Sequence, residues 1–72
     1  MQTTLLDLRV NGAPEALDVA TIADLLDAKG VDPARKGIAV ALNGAVVPRA
    51  RWAEQQLAAG DTIEIIQARQ GG

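Results

Sequence analysis

The sequence predicts an α+β fold in which a mixed sheet packs on one helix and ends in a slim tail. Three observations predict it. Short segments alternate apolar and polar residues with the period of a half-buried strand, two Asn-Gly dipeptides sit between such segments, and a single helical stripe lies between the two hairpins they imply. At 72 residues there is one small core, at a size where only about 60% of the unfolded surface is buried. That leaves no room for a deep substrate pocket.

Leu6, Leu8 and Val10 alternate with Asp7 and Arg9, so one face of the first strand is buried. Asn11-Gly12 favours a two-residue hairpin turn with positive φ at both positions. The second strand is expected to run through about Val19 with Leu17 and Val19 inward, and Pro14 falls near its start, where a missing N–H does least harm. Thr21 can cap a helix over 22–29, Asp24 is a shortened capping-box partner, and Gly30 ends it. Ile22, Leu25 and Leu26 share one face of that helix, which spans only about two turns and must lie across the sheet to be stable.

After a connecting loop over 31–37, Ile38, Val40 and Leu42 face the core and leave the small residues Ala39 and Ala41 on the other face. Those two are either buried under a loop or part of a docking face. Asn43-Gly44 repeats the hairpin signal and leads into Ala45-Val46-Val47, which Pro48 stops. Over 49–57 a short turn or two is expected, with Trp52 and Leu57 plugging the open end of the core. Arg49 and Arg51 read as solvated, with a partner's acidic patch or a phosphate as the alternative. Gly60-Asp61 is a turn. In the final strand, from Thr62, Ile63 and Ile65 point one way and Glu64 and Ile66 the other. Ile66 is thus an apolar residue on a face that should be wet, so either a bulge turns it inward or it belongs to a partner surface, the reading preferred here.

Composition narrows the function classes. A net charge of −2 and a pI of about 4.8 disfavour nucleic acid, and Trp52 is the only aromatic residue available for base stacking. The N-terminal residues lack a signal-peptide pattern and no apolar run approaches spanning length, so no membrane partner is expected and the localisation expected is cytoplasmic. Zero Cys and zero His remove thiol nucleophiles, imidazole bases and the usual zinc ligands. The nine carboxylates show no calcium-loop spacing, and the pairs Asp24/Asp27 and Asp18/Asp32 read as solvated or helix-terminal charges. No catalytic residue and no metal ligand is expected; the chain reads as something acted upon rather than an enzyme.

The expected division is a body over 1–66 and a flexible tail over 67–72, ending in Gly71-Gly72. Two residues without Cβ atoms can thread a slot too narrow for any others. Six extended residues would carry the α-carboxylate about 20 Å from the body. Ionised at neutral pH, with an ordinary pKa of about 3.5, it is a poor electrophile until activated. Adenylation by ATP is the usual activation, and no group in this chain could perform it.

The element order resembles the β-grasp arrangement of ubiquitin-like proteins. Within it, Leu42-Asn43-Gly44, Val46-Val47-Pro48-Arg49, Trp52, Leu57, Gly60-Asp61-Thr62-Ile63-Glu64-Ile65 and Gly71-Gly72 resemble the ThiS family, the sulfur carriers of thiamine biosynthesis. The likeness spans the chain and is strongest in its C-terminal half. Arg69 departs from it, since an aliphatic residue is more usual there. The resemblance implies that a ThiF-like adenylating enzyme, using ATP and magnesium that this chain does not itself bind, adenylates Gly72. A sulfur donor such as a cysteine desulfurase system then supplies sulfur, the adenylate becomes a thiocarboxylate, and a ThiG-like thiazole synthase takes the sulfur. Gly72 would carry the covalent chemistry, Gly71 the slim approach, and the face around Ala39, Ala41, Glu64 and Ile66 the partner contact. Two alternatives remain. The small subunit of molybdopterin synthase shares the fold and the Gly-Gly end but typically has aromatic residues and prolines before its tail, where this chain reads Ile65-Ile66-Gln67-Ala68. A β-grasp module that only binds a partner would keep its activity when Gly72 is enlarged.

Overall fold

The computed structural model describes residues 5–68. Its strands are β1 (Leu6–Val10), β2 (Ala13–Leu17), β3 (Ile38–Leu42), β4 (Ala45–Val47) and β5 (Thr62–Gln67), with one helix, α1 (Ile22–Ala28), and a 3-10 turn at Arg49–Arg51. The five strands form one sheet in the order β2-β1-β5-β3-β4, with β1 parallel to β5 and the other neighbours antiparallel. This is a ubiquitin-like β-grasp fold. The last strand of the chain is therefore the central strand of the sheet.

Both Asn-Gly turns take the conformation their residues favour, with φ of 51° and 84° at Asn11-Gly12 and 51° and 87° at Asn43-Gly44. β2 stops two residues short of the expected end. Its last residue, Leu17, pairs with Leu6 at the first residue of β1, so the ladder has no further partner there, although Val19 still turns into the core.

The short helix is finished at both ends. The Thr21 side chain accepts from the Asp24 N–H at 3.1 Å while the Asp24 carboxylate accepts from the Thr21 N–H at 3.3 Å, a complete capping box. The next free donors, Ile22 and Ala23 N–H, bond the carbonyls of Gln55 and Trp52 at 3.1 and 3.0 Å. At the other end Gly30 N–H bonds Asp27 O and Val31 N–H bonds Leu26 O, the two bonds of a Schellman motif. A two-turn helix is unstable alone, and here its buried face, Ile22, Leu25 and Leu26, is fully enclosed against the inner residues of the sheet, Leu8, Val10, Val40 and Ile63. Trp52 and Leu57 close the core as expected, and the Trp52 indole N–H donates to Val47 O at 2.8 Å. No helix among the described residues is long and apolar enough to cross a membrane.

Candidate functional site

The outer face of the sheet is where the candidate residues meet. Register places Ala39 opposite Ile66 and Ala41 opposite Glu64, so all four expected contact residues form two adjacent cross-strand pairs on one surface. The β3–β5 ladder is unbroken from Ile38↔Gln67 to Leu42↔Ile63, which rules out the bulge that could have turned Ile66 inward. Ile66 stays 56% exposed. Ala39 is exposed and Ala41 half-buried, and their short side chains leave the backbone of β3 open to close approach.

One residue of this surface was not singled out in the sequence. Val46 lies opposite Ala41 on β4, extending the Glu64–Ala41 row across a third strand, and it is 75% exposed. Strand alternation turns Val46 away from buried Val47, but a strand of three residues is too short for the sequence alone to show which of them faces inward. Beside Val46 an open groove of about 370 Å³ is lined by Leu42, Pro48, Arg51 and Gln55. A depression of similar volume at the start of α1 is lined in part by Asp18 and Asp24, but the Asp24 carboxylate is engaged by the N–H groups of Ala20 and Thr21. That acid is a helix cap. Asp32 likewise accepts from the Ala34 N–H at 2.9 Å, as a turn-forming aspartate does.

The root of the tail is held to the body beyond Ile66. Gln67 pairs with Ile38, and Ala68 N–H donates to Gly37 O at 2.7 Å. Gly37 has φ of 83°, and a Cβ there would lie 3.3 Å from Ala68 O, so both the backbone conformation and the close approach of Ala68 favour glycine. The four residues past Ala68 span at most about 14 Å, less than the 20 Å expected for a tail free from Gln67. Arg69, Gly71 and Gly72 themselves lie outside the described residues.

Two further residues that sequence reasoning treated only as turn formers hold the central strand. The Asn11 side-chain carbonyl accepts from Ile65 N–H at 2.7 Å, continuing the parallel ladder past the end of β1. Asn43 works at the opposite end, accepting from Thr62 N–H at 2.9 Å and donating to the Asp61 carboxylate at 3.1 Å. The strand that delivers the tail is thus pinned by both turns. Among the described residues no group of His, Cys, Asp or Glu could hold a metal ion.

A sheet that grasps one helix, with an apolar outer strip at the root of a C-terminal extension, defines a ubiquitin-like β-grasp protein. Comparison with known proteins takes this further. The model of the ThiS family matches residues 8–72. The chain is similar to the crystal structure of the thiamine biosynthesis protein ThiS from Geobacter metallireducens, with a TM-score of 0.75 and 33% identity over 93% of this chain and 100% of that one. The solution NMR structure of a thiamine biosynthesis protein from the same organism gives a TM-score of 0.76 at 33% identity, covering 93% of this chain and 88% of that one. Curated proteins yielded no match. The chain belongs to the ThiS family.

Proposed function

We propose that this protein is a sulfur carrier of thiamine biosynthesis, a substrate for partner enzymes rather than a catalyst. The observation that carries the reading is the family match, which runs through the Gly71-Gly72 end as well as the folded body. In the proposed reaction an oxygen of the Gly72 carboxylate attacks the α-phosphorus of ATP within a magnesium-dependent adenylating enzyme, and pyrophosphate leaves. The terminal sulfur of a donor persulfide, such as one formed by a cysteine desulfurase system, then displaces AMP from the acyl adenylate. A thiol reductant cleaves the resulting acyl disulfide, itself ending in a disulfide, to leave a thiocarboxylate whose sulfur passes to a thiazole synthase.

The body supplies recognition. Ala39, Ala41, Val46 and Ile66 offer an apolar strip on the outer sheet face, with Glu64 beside it, for docking on the adenylating enzyme. Ordering the tail in a partner costs about 1–2 kcal/mol per residue fixed, so affinity must come from these body contacts. Anchoring Gln67 and Ala68 in the sheet reduces that cost by leaving fewer residues to order.

Chain-dependent exchange of pyrophosphate into ATP, catalysed by the adenylating enzyme, tests the reading. Exchange should occur with the unsubstituted chain and be lost with Gly72→Leu, which blocks a slot sized for glycine. Equal exchange with both would contradict the assigned role of Gly72.

A further inference from the structure

The sulfur-carrier reading leaves a cluster of positive charge at the tail root without a role. Arg35, Lys36, Arg49 and Arg51 are four of the seven basic residues of a chain that carries nine acidic ones. Folding brings their two segments together, because the Arg49 guanidinium donates to Arg35 O at 2.7 Å. It also lies 4.6 Å from the centroid of the Trp52 ring, so its position is set from two sides. All four side chains are exposed, and the one ion pair among the described residues, Lys29 with Glu15, lies elsewhere. Asp32 and Glu54 are the nearest acidic residues in sequence, and the Asp32 carboxylate is engaged by the Ala34 N–H.

The cluster is tied to the tail through Lys36, whose neighbour Gly37 accepts the Ala68 N–H. On its other side Arg51 lines the groove beside exposed Val46. Basic charge therefore borders both the point where the tail leaves the body and the apolar strip of the outer face. This is the arrangement of an interface with an apolar centre and a charged rim.

We infer that this basic cluster docks against an acidic rim around the tail-binding slot of the adenylating enzyme, setting the orientation in which the tail enters. The inference rests on the sulfur-carrier reading and names a feature of the partner that the reading leaves open. A carboxylate rim fits better than the phosphates of ATP. The reacting carboxylate and the nucleotide lie at the far end of the tail, up to about 14 Å from Ala68, whereas the surface that meets the root is the mouth of the slot. On an otherwise acidic protein, one basic edge also orients the encounter, since opposed charges raise association rates and suppress wrong approaches.

The test measures kcat/KM for adenylation of three full-length chains by the adenylating enzyme of the same source, across ionic strength. The chains are the unsubstituted protein, Arg35→Gln/Lys36→Gln, and a control, Ala13→Glu/Ala16→Glu, with the same net charge but altered at exposed positions on the opposite edge of the sheet, β2. Neither Arg35 nor Lys36 contributes its side chain to a hydrogen bond among the described residues, and Arg49 keeps its partner because that is the backbone carbonyl of residue 35. At low salt the Gln pair should lower kcat/KM about tenfold through KM, with kcat unchanged and the control close to the unsubstituted chain. The difference should close as salt rises to about 1 M, where the screening length falls to about 3 Å. Equal kcat/KM for the Gln pair and the unsubstituted chain, or an equal loss in the control, would overturn the inference while leaving the carrier reading intact. Failure of the unsubstituted chain to be adenylated at any salt would overturn both.

Discussion

The two faces of β3 and β5 are made from the same ten or so residues taken alternately, and they answer to different demands. Inward, Ile38, Val40 and Ile63 are at most 8% exposed and pack on α1. Outward, Ala39, Ala41, Glu64 and Ile66 cover the neighbouring positions and touch no core. The inner face has the large branched residues that fill volume, and the outer face has two alanines and Glu64, with one large apolar residue, Ile66, left in solvent. An inner face optimised for packing and an outer face that forgoes packing allow folding and the proposed docking to be tested separately, residue by residue.

The largest effect should come from breaking the inner face. Ile63→Ala removes a fully buried side chain from the middle of the sheet and should cost about 3 kcal/mol in denaturant unfolding. A loss below about 1 kcal/mol would mean the core collapses around the gap. Next comes the junction of the two faces, Gly37. Gly37→Ala should cost about 1–2 kcal/mol from its positive φ, with further loss from crowding Ala68 O. Thermal melting measures the cost, and hydrogen exchange at Ala68 shows whether the tail root has come loose.

A smaller effect separates the two turn asparagines. Asn11→Gly keeps the turn but removes the carbonyl that Ile65 N–H bonds, and Asn43→Gly removes the one that Thr62 N–H bonds. Each should cost about 1 kcal/mol, and each should speed amide exchange at its own end of β5. Exchange that rises equally at Ile65 and Thr62 in both variants would show that β5 opens as a unit. The smallest effect on stability belongs to the outer face. Ile66→Asp should unfold within about 0.5 kcal/mol of the parent yet be adenylated slowly; unchanged adenylation kinetics would remove this face from the docking surface.

Most of the fold was legible because its signals are local. Alternation located each strand, Asn-Gly located each hairpin, and Thr21 with Asp24 and Gly30 bounded the helix. The end of β2 was missed by two residues because strand length is decided by the partner, and β1 begins only at Leu6. For the candidate site, Ala39, Ala41, Glu64 and Ile66 could be read as outward-facing from alternation alone. Their pairing with each other, and the addition of Val46, required the register across three strands. The ladder bonds of Asn11 and Asn43 were illegible for the same reason, since their partners lie 54 and 19 residues away. The cluster at Arg35, Lys36, Arg49 and Arg51 was half visible: two of its residues stood out as a charged pair, but the loop that doubles the charge arrives only through the fold.

The central claim is that the outer face and tail root exist to present Gly72 for sulfur loading, and intact-protein mass spectrometry tests it most directly. The chain is incubated with ATP, magnesium, a sulfur donor and the adenylating enzyme of the same source. The account predicts a product in which one oxygen is replaced by sulfur, with fragmentation placing the change at Gly72. An unmodified mass, while the same enzyme preparation converts another carrier, would contradict it.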